Sequence, residues 1–496
     1  MNNLKQRINK FCESRWCPVV FPLLALPLLL LMSTSTSPLY YHGGYDSAIF
    51  QEIGLGILHG RMPYRDLFDN KGPLLYLINA LGMLIGGRTG IFLLQWLFNS
   101  LTLWLLYKTA RLFASGLRSM VAVLVALLPY SMFLCEGNMC EEWMLPFLTL
   151  AIYLTVRGVL HHTPKESSRV PIFPFILGML FAAVALIRLN DAVAIVGGLM
   201  AGYCIWLISK RDLIQMFTAT WMFLSATVAA VPVLFWLANN HVLADFWHAY
   251  FQVNAEYTGS VMSLVTSVFT EIPRATLLVL AIALAIMLWR TKQRVAMWVV
   301  LPAILLETIL FGPNYFEHYY IVLMPFLVLL LAVGTKRTFV VGFVLVMLMP
   351  VGKGMHLEAP RAVSRIYMRC KDATMPSRQE ADRQRLEQTA ELFTHVPEVE
   401  RDSIWNYNLI INRYDDYHVL PANGIVQMNA RIFPILPHWW EETQSPLNAP
   451  TLPPWMLAGY GGESPETSID SATLAHYQLV GTIDPEVSRI ALYRRR

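Results

Sequence analysis

Apolar runs long enough to cross about 30 Å of hydrocarbon recur through the first 352 positions of this 496-residue chain. In lipid a backbone must satisfy its own polar groups, so such runs point to a helical bundle. They occupy residues 17–39, 90–107, 119–134, 143–156, 171–187, 192–209, 213–238, 274–289, 296–311, 319–334 and 338–351, which predicts about eleven transmembrane helices. A composition of 55% hydrophobic and 15% charged residues excludes a simple water-soluble domain. The formal net charge of +4 is small, and Lys and Arg gather between apolar runs, which speaks for membrane orientation and against a nucleic-acid groove.

Lys and Arg resist translocation, so the loops that hold them mark the cytoplasmic side. Lys108, Arg111 and Arg118 fall in one such loop, followed in alternate loops by Arg157, Lys165 and Arg169, by Lys210 and Arg211, by Arg290, Lys292 and Arg294, and by Lys336 and Arg337. The N-terminus is then inside, and an odd number of spans places everything after Gly352 outside. The basic start (Lys5, Arg7, Lys10, Arg15) precedes an apolar run with no good cleavage region at Ser33 to Ser37, and it reads as a retained first helix. Residues 73–87 are apolar but reach only about 22 Å as a helix, and counting them as a span would turn every later basic loop outward. They read as an interfacial or re-entrant helix within a first outer loop of residues 40–89.

From Lys353 the composition turns polar, with an amphipathic helix expected over 377–393 and short strands at 403–407, 455–458, 477–481 and 489–493. The expected fold is a mainly α polytopic membrane protein, with a transmembrane module over 1–352 and an extracytoplasmic (periplasmic) α/β domain over 353–496. Of the six cysteines, Cys135 and Cys140 lie close together on the outer side, where a disulfide and two buried thiols are both open readings.

The first outer loop carries the densest charge. It reads Tyr41-His42-Gly43-Gly44-Tyr45-Asp46-Ser47, then a helical run to His59, then Gly60-Arg61-Met62-Pro63-Tyr64-Arg65-Asp66-Leu67-Phe68-Asp69-Asn70-Lys71-Gly72. Charges of both signs beside a membrane span are costly unless they pair or bind a ligand, which makes the loop a candidate site. Asp46 also fits a helix N-cap ahead of an amphipathic surface helix (Ile49, Ile53, Ile57) that Gly60 terminates, and Arg61, Arg65, Asp66 and Asp69 also fit ordinary interface residues.

Glu141 and Glu142 open another span on the same side, where complementing the helix dipole would equally account for them. Arg188, Asn190 and Asp191 form an outer hairpin, and Glu317-His318-Tyr319-Tyr320 begins an inward span, positions that also suit interfacial anchors. On this topology Lys71, Arg188 and His318 meet Asp46, Asp69, Glu141 and Glu142 on one membrane face. Sugar-phosphate transfer needs that combination, in which cations hold the phosphate as charge builds on it and a carboxylate deprotonates the acceptor.

Tyr45-Asp46-Ser47 and the run Pro63-Tyr64-Arg65-Asp66-Leu67-Phe68-Asp69-Asn70-Lys71-Gly72-Pro73-Leu74-Leu75-Tyr76 resemble the first outer loop of the C-superfamily (GT-C) membrane glycosyltransferases. Within it they are similar to the bacterial relatives of protein O-mannosyltransferases and of lipid A aminoarabinose transferases. Glu141-Glu142, Ile187-Arg188-Leu189-Asn190 and His318-Tyr319-Tyr320 before Pro325 resemble further segments, and Trp405-Asn406-Tyr407 and Leu420-Pro421 resemble patches of the exposed domain. The family pattern has Lys-Pro-Pro where this chain has Lys71-Gly72-Pro73.

The resemblance implies an inverting transferase of the bacterial inner membrane that moves a hexose or pentose from a polyprenyl-phosphate donor to a glycan, lipid or protein acceptor. Asp46 is then the catalytic base, Lys71, Arg188, His318 and Arg65 hold the donor phosphate, and Asp69, Glu141, Glu142, Tyr45 and Tyr64 line the sugar and acceptor pocket. Some relatives bind a divalent cation, but no metal-ligand spacing stands out in this chain. Two rivals are a flippase of lipid-linked sugars, which would place polar residues near the bilayer midplane on repeated helices, and a polymerase or ligase using a pyrophosphate-linked donor.

Overall fold

The structure is a computed structural model that describes residues 2–40, 44–161, 172–211, 216–217, 219–312, 315–347, 358–408, 420–424, 445–460, 464–483 and 489–496. Tyr41, His42, Gly43, Lys165, Arg169 and the expected domain boundary at 352/353 lie outside the described residues. Among the described residues, six helices are long and apolar enough to cross a membrane: Pro73–Arg111, Gly116–Phe133, Cys140–Leu160, Leu189–Lys210, Trp221–Asn239 and Ile272–Arg290. Cys17–Met32, Ile172–Ala185, Val261–Thr270 and Glu317–Ala332 are apolar but shorter. Among the described residues these six strong spans and four shorter apolar helices stand against the expected total of about eleven, and parts of the expected spans 171–187, 213–238 and 338–351 lie outside the described residues.

The Pro73–Arg111 stretch is two helices. Gly86 (φ 176°, ψ 38°) and Gly87 (φ 59°, ψ −140°) leave helical geometry, and the positive φ of Gly87 is open to a residue without a Cβ. The chain breaks there so sharply that a Cβ on Gly90 would strike the carbonyl of Gly82. The helix that follows Lys71 therefore stops at the glycine pair, where the sequence separates residues 73–87 from the next span.

The chain divides into two compact units. One comprises Met1–Ser33, Leu93–Phe235 and Gly259–Arg369 and holds most of the apolar helices. Its helices Leu189–Lys210 and Arg294–Leu310 pack in antiparallel register, with Gly198 against Ala303 and Gly202 against Val299 close enough that no side chain would fit at either glycine.

The other unit comprises Thr34–Phe92, Trp236–Thr258 and Cys370–Arg496, so the charged first loop and the C-terminal residues fall in one compact unit. Four strands, β1 (Ile404–Asn406), β2 (Trp455–Gly459), β3 (Tyr477–Thr482) and β4 (Ile490–Arg495), form a sheet in the order β1-β2-β4-β3. β1 runs parallel to β2, and the remaining pairs are antiparallel. Side chains alternate between faces with period two. Ile404, Trp455, Leu457, Ile490 and Leu492 cluster with Leu392 and Phe393 of the helix Pro376–Phe393, whereas Trp405, Met456, Ala458, Ala491 and Tyr493 form the opposite cluster.

Candidate active site

The helix Asp46–Leu58 carries the first candidate carboxylate. It was expected on the surface, but every residue from Ser47 to Gly56 is buried. Gly54 explains the difference, since a Cβ there would lie 2.7 Å from the backbone nitrogen of Ala80, so the helix seats directly on the Pro73 helix. Tyr45 takes the N-cap position with no side-chain capping bond, and Asp46 falls one residue later, in the first turn. The capping role open to Asp46 from sequence is therefore not the one it fills. Its carboxylate is half-buried and has no hydrogen-bond or ion-pair partner among the described residues. Gly60, with φ 78°, ends the helix as the sequence predicts.

Residues 61–72 form a tight loop built by side chains bonding to backbone. Asp66 Oδ2 accepts from the Met62 N–H at 2.7 Å, and Tyr64, at φ 74°, donates its N–H to the Leu67 carbonyl at 2.8 Å. Arg61 donates to the carbonyls of Pro421 and Asp402, both at 2.7 Å, and Phe68 donates its N–H to the Gly424 carbonyl at 3.1 Å. The segment around Leu420-Pro421 thus braces the loop from the C-terminal part of the same unit.

That brace presents Asp69, Asn70 and Lys71. Asp69 is buried, and its Oδ2 accepts from the Tyr76 hydroxyl at 2.9 Å. Burial raises its carboxyl above the usual carboxylate range, against the opposing pull of the Lys71 ammonium and the Asn70 N–H, and the Asp46 carboxylate raises it further. Asp46, Asp69 and Lys71 therefore belong to one electrostatic cluster. Lys71 Nζ donates to Asn70 Oδ1 at 3.1 Å, and the lysine backbone is held at both ends: its N–H by the Tyr76 hydroxyl at 3.0 Å and its carbonyl by the Tyr64 hydroxyl at 2.9 Å.

Not every expected residue joins this cluster. Tyr45 does: burial raises its hydroxyl, with added contributions from Asp46 and Asp69. Tyr64 is buried, packed on Tyr76 and Phe246 at 5.8 Å and 5.3 Å, and acts on Lys71 through the backbone. Arg65 pairs with Asp66 through Nε at 2.8 Å and donates to the Asn240 carbonyl at 3.2 Å, which holds Asp66 below the usual carboxylate range. No described bond links Arg65 to Asp69 or Lys71. Asn254, which the sequence did not single out, enters the cluster by donating to the Asn70 carbonyl at 2.7 Å.

The other unit contains a constellation of its own charged residues. Glu141, fully buried, pairs with Arg188 at 2.5 Å and accepts from the Cys140 thiol at 3.1 Å. Arg188 also pairs with Asp191 at 3.3 Å and lies 4.4 Å over the ring of Tyr319. His318, half-buried between Phe316 and Tyr319, lies within electrostatic reach of Glu141. Glu307, a buried carboxylate inside an apolar helix, shares this field with Asp191, Arg188 and Glu141. Its sequence signal is a lone charge within the apolar run 296–311.

Glu142 departs from its neighbour. It accepts from Gln95 Nε2 at 2.9 Å and 3.1 Å, from Asn99 Nδ2 at 2.6 Å and from the Asn138 N–H at 2.9 Å. Its carboxylate oxygens are thus filled by donors of the fold itself. Cys135 and Cys140 are both free thiols. Among the described residues, no three His, Cys, Asp or Glu side chains are grouped to hold a metal ion.

Residues 70–236 match the model of a family described as dolichyl-phosphate-mannose-protein mannosyltransferase. No curated protein sequence matches the chain. Among solved structures, ArnT from Cupriavidus metallidurans bound to undecaprenyl phosphate superposes with a TM-score of 0.58 at 13% identity, covering 97% of this chain and 98% of that one. The Archaeoglobus fulgidus oligosaccharyltransferase in complex with Zn and sulfate gives a TM-score of 0.45 at 14% identity over 89% of this chain and 67% of that one. Archaeal oligosaccharyltransferase AglB from the same organism, with an inhibitory peptide and a dolichol-phosphate, gives 0.45 at 13% over 90% and 70%.

Proposed function

We propose that this chain, a membrane protein with the fold of the C-superfamily glycosyltransferases, moves a sugar from a polyprenyl-phosphate carrier to an envelope acceptor on the outer face of the cytoplasmic membrane. The observation that carries the reading is the half-buried Asp46 carboxylate, without a bonded partner among the described residues and in one electrostatic cluster with Asp69 and the Lys71 ammonium. In the proposed step an acceptor hydroxyl attacks the anomeric carbon while its proton passes to Asp46. The anomeric carbon–oxygen bond breaks, and the carrier phosphate departs with the bonding pair, its charge met by Lys71. A single displacement inverts the anomeric centre and requires no carboxylate nucleophile.

A phosphate-bearing polyprenyl carrier is favoured because ArnT, whose fold this chain shares along its length, was captured with undecaprenyl phosphate. Lys71 supplies the compact, mobile charge that a leaving phosphate needs, and Asp69 tempers and orients it. Arg188 and His318 are proposed as donor-binding residues and Glu141 as the carboxylate that fixes Arg188. The C-terminal sheet is proposed to lie outside the cytoplasm.

The test is incubation of the purified protein in lipid nanodiscs with synthetic polyprenyl-monophosphate and polyprenyl-pyrophosphate sugars and an envelope extract. Mass spectrometry would follow the released carrier and the glycosylated product. Product and polyprenyl phosphate from the monophosphate donor are expected. Turnover of the pyrophosphate donor alone would move the chain to the polymerase or ligase class, and scrambling of lipid-linked sugar in liposomes without any product would make it a transporter.

A further inference from the structure

Asn254 lies 184 positions from Asn70, yet its side chain exchanges two hydrogen bonds with that residue, accepting from the Asn70 side-chain amide and donating to the Asn70 backbone carbonyl. Asn254 Nδ2 donates to two carbonyls, that of Asn70 at 2.7 Å and that of Tyr250 at 2.9 Å, which uses both of its hydrogens. A reversed amide would aim an oxygen at two carbonyl oxygens, so the orientation of Asn254 is determined by its surroundings. Its Oδ1 then accepts from Asn70 Nδ2 at 3.1 Å, which determines the second amide in turn. Asn70 is left with its Oδ1 toward Lys71 Nζ, at 3.1 Å.

The element that delivers Asn254 is unusual. The preceding residues His248–Gln252 form a π-helical segment, a conformation found mostly as single turns and often beside functional sites. Tyr250, within it, stacks on Phe246 at 5.2 Å, and Phe246 packs on Tyr64, whose hydroxyl holds the Lys71 carbonyl. The same segment therefore supports Lys71 through its backbone and through its ammonium.

We propose that Asn254 is a positioning residue for Lys71, orienting the Asn70 amide so that an oxygen and not an NH2 group meets the ammonium. The consequence for donor binding rests on Lys71 being the phosphate-binding cation, whereas the consequence for the amine itself does not. With leucine at position 254 the Asn70 amide is released and can present its NH2 to Lys71. An acceptor that stabilised the charged amine is then lost, and more of the lysine is neutral at any given pH.

Competitive acetylation of the full-length protein in nanodiscs, read by peptide mass spectrometry across pH, measures this directly, with the exposed Lys371 as internal reference. Asn254→Leu is expected to accelerate Lys71 acetylation roughly three- to tenfold at fixed pH, the scale of one charge-assisted hydrogen bond partly screened by solvent. The double variant Asn70→Asp/Asn254→Leu should return the rate to wild type or below, because a carboxylate presents oxygen in either orientation. Unchanged labelling in Asn254→Leu, or acceleration that persists in the double variant, overturns the proposal.

Should Asn254→Leu fail to fold, Asn254→Asp keeps the acceptor for Asn70 Nδ2. It should leave Lys71 no faster than wild type, and acceleration there counts against the proposal. In transfer assays Asn254→Leu should raise KM for the donor several-fold more than it lowers kcat. If labelling responds as stated but the donor KM does not, the positioning of Lys71 stands and its phosphate role falls.

Discussion

Asp46 and Glu142 occupy equivalent local positions, each an acidic residue in the first turn of a helix that is buried along most of its length. Their surroundings are opposite. Glu142 receives donors from two side-chain amides and a backbone N–H, whereas Asp46 is half open and has no bonded partner among the described residues. Among the cations, Arg188 pairs with Glu141 and Asp191, and Lys71 donates to the Asn70 amide oxygen within the field of Asp69. A carboxylate whose lone pairs are filled by the fold holds the fold together, and one left accessible is available to accept a proton.

Substitution should separate the two kinds of carboxylate. Asp46→Asn is expected to lower transfer by about 10³-fold, within the range of general-base losses, with the apparent Tm within a degree or two of wild type. Transfer within a few-fold of wild type would place Asp46 with the structural carboxylates. Glu142→Ala should do the reverse, costing roughly 3 kcal/mol by leaving Gln95, Asn99 and the Asn138 N–H unsatisfied in a buried site. Thermal unfolding in detergent checks this, and specific activity of the folded fraction should stay near wild type.

Tyr64→Phe removes only the hydroxyl that holds the Lys71 carbonyl. It should cost about 1 kcal/mol and reduce transfer a few-fold, measurable as a raised donor KM. The smallest effect is on stability, at Asp69, whose folded carboxyl is raised chiefly by burial. A carboxyl raised on folding favours the folded state at low pH and loses that contribution as pH climbs from the unfolded carboxylate range through the folded value. Asp69→Asn stays neutral throughout, so its apparent Tm should match wild type below that window and exceed it by roughly 1–3 °C above, while its transfer falls. An Asn variant less stable than wild type at neutral pH would mean that the Asp69 charge is stabilised, not strained, by the fold.

Much of this was legible from residue pattern because the relevant forces are local. Short strand-like runs in the polar C-terminal region coincide with the segments that form β1 to β4, and Gly60 marks a helix end. Asp69, Asn70 and Lys71 are neighbours in sequence, so their grouping needed no tertiary knowledge. The burial of Asp46–Leu58 was missed because Ile49, Ile53 and Ile57 read as a stripe, although Gly54 and Gly56 were available as signs of close helix approach. Asn254 left no signal, since an amide pair across 184 positions has no spacing rule. The unequal fates of Glu141 and Glu142 depend on which face of one helix meets Arg188 and which meets Gln95, and adjacent residues do not announce that.

The division of labour inside the first-loop cluster is open to one decisive comparison. Binding isotherms for polyprenyl-phosphate sugar should be measured on wild type, Asp46→Asn and Lys71→Met in nanodiscs, with carrier release followed in the same samples. Asp46→Asn should bind with wild-type affinity and release no carrier, while Lys71→Met should bind at least about tenfold more weakly, a loss of roughly 1.4 kcal/mol. Wild-type affinity in Lys71→Met, or carrier release from Asp46→Asn at near the wild-type rate, would mean that the reacting centre lies elsewhere in the chain.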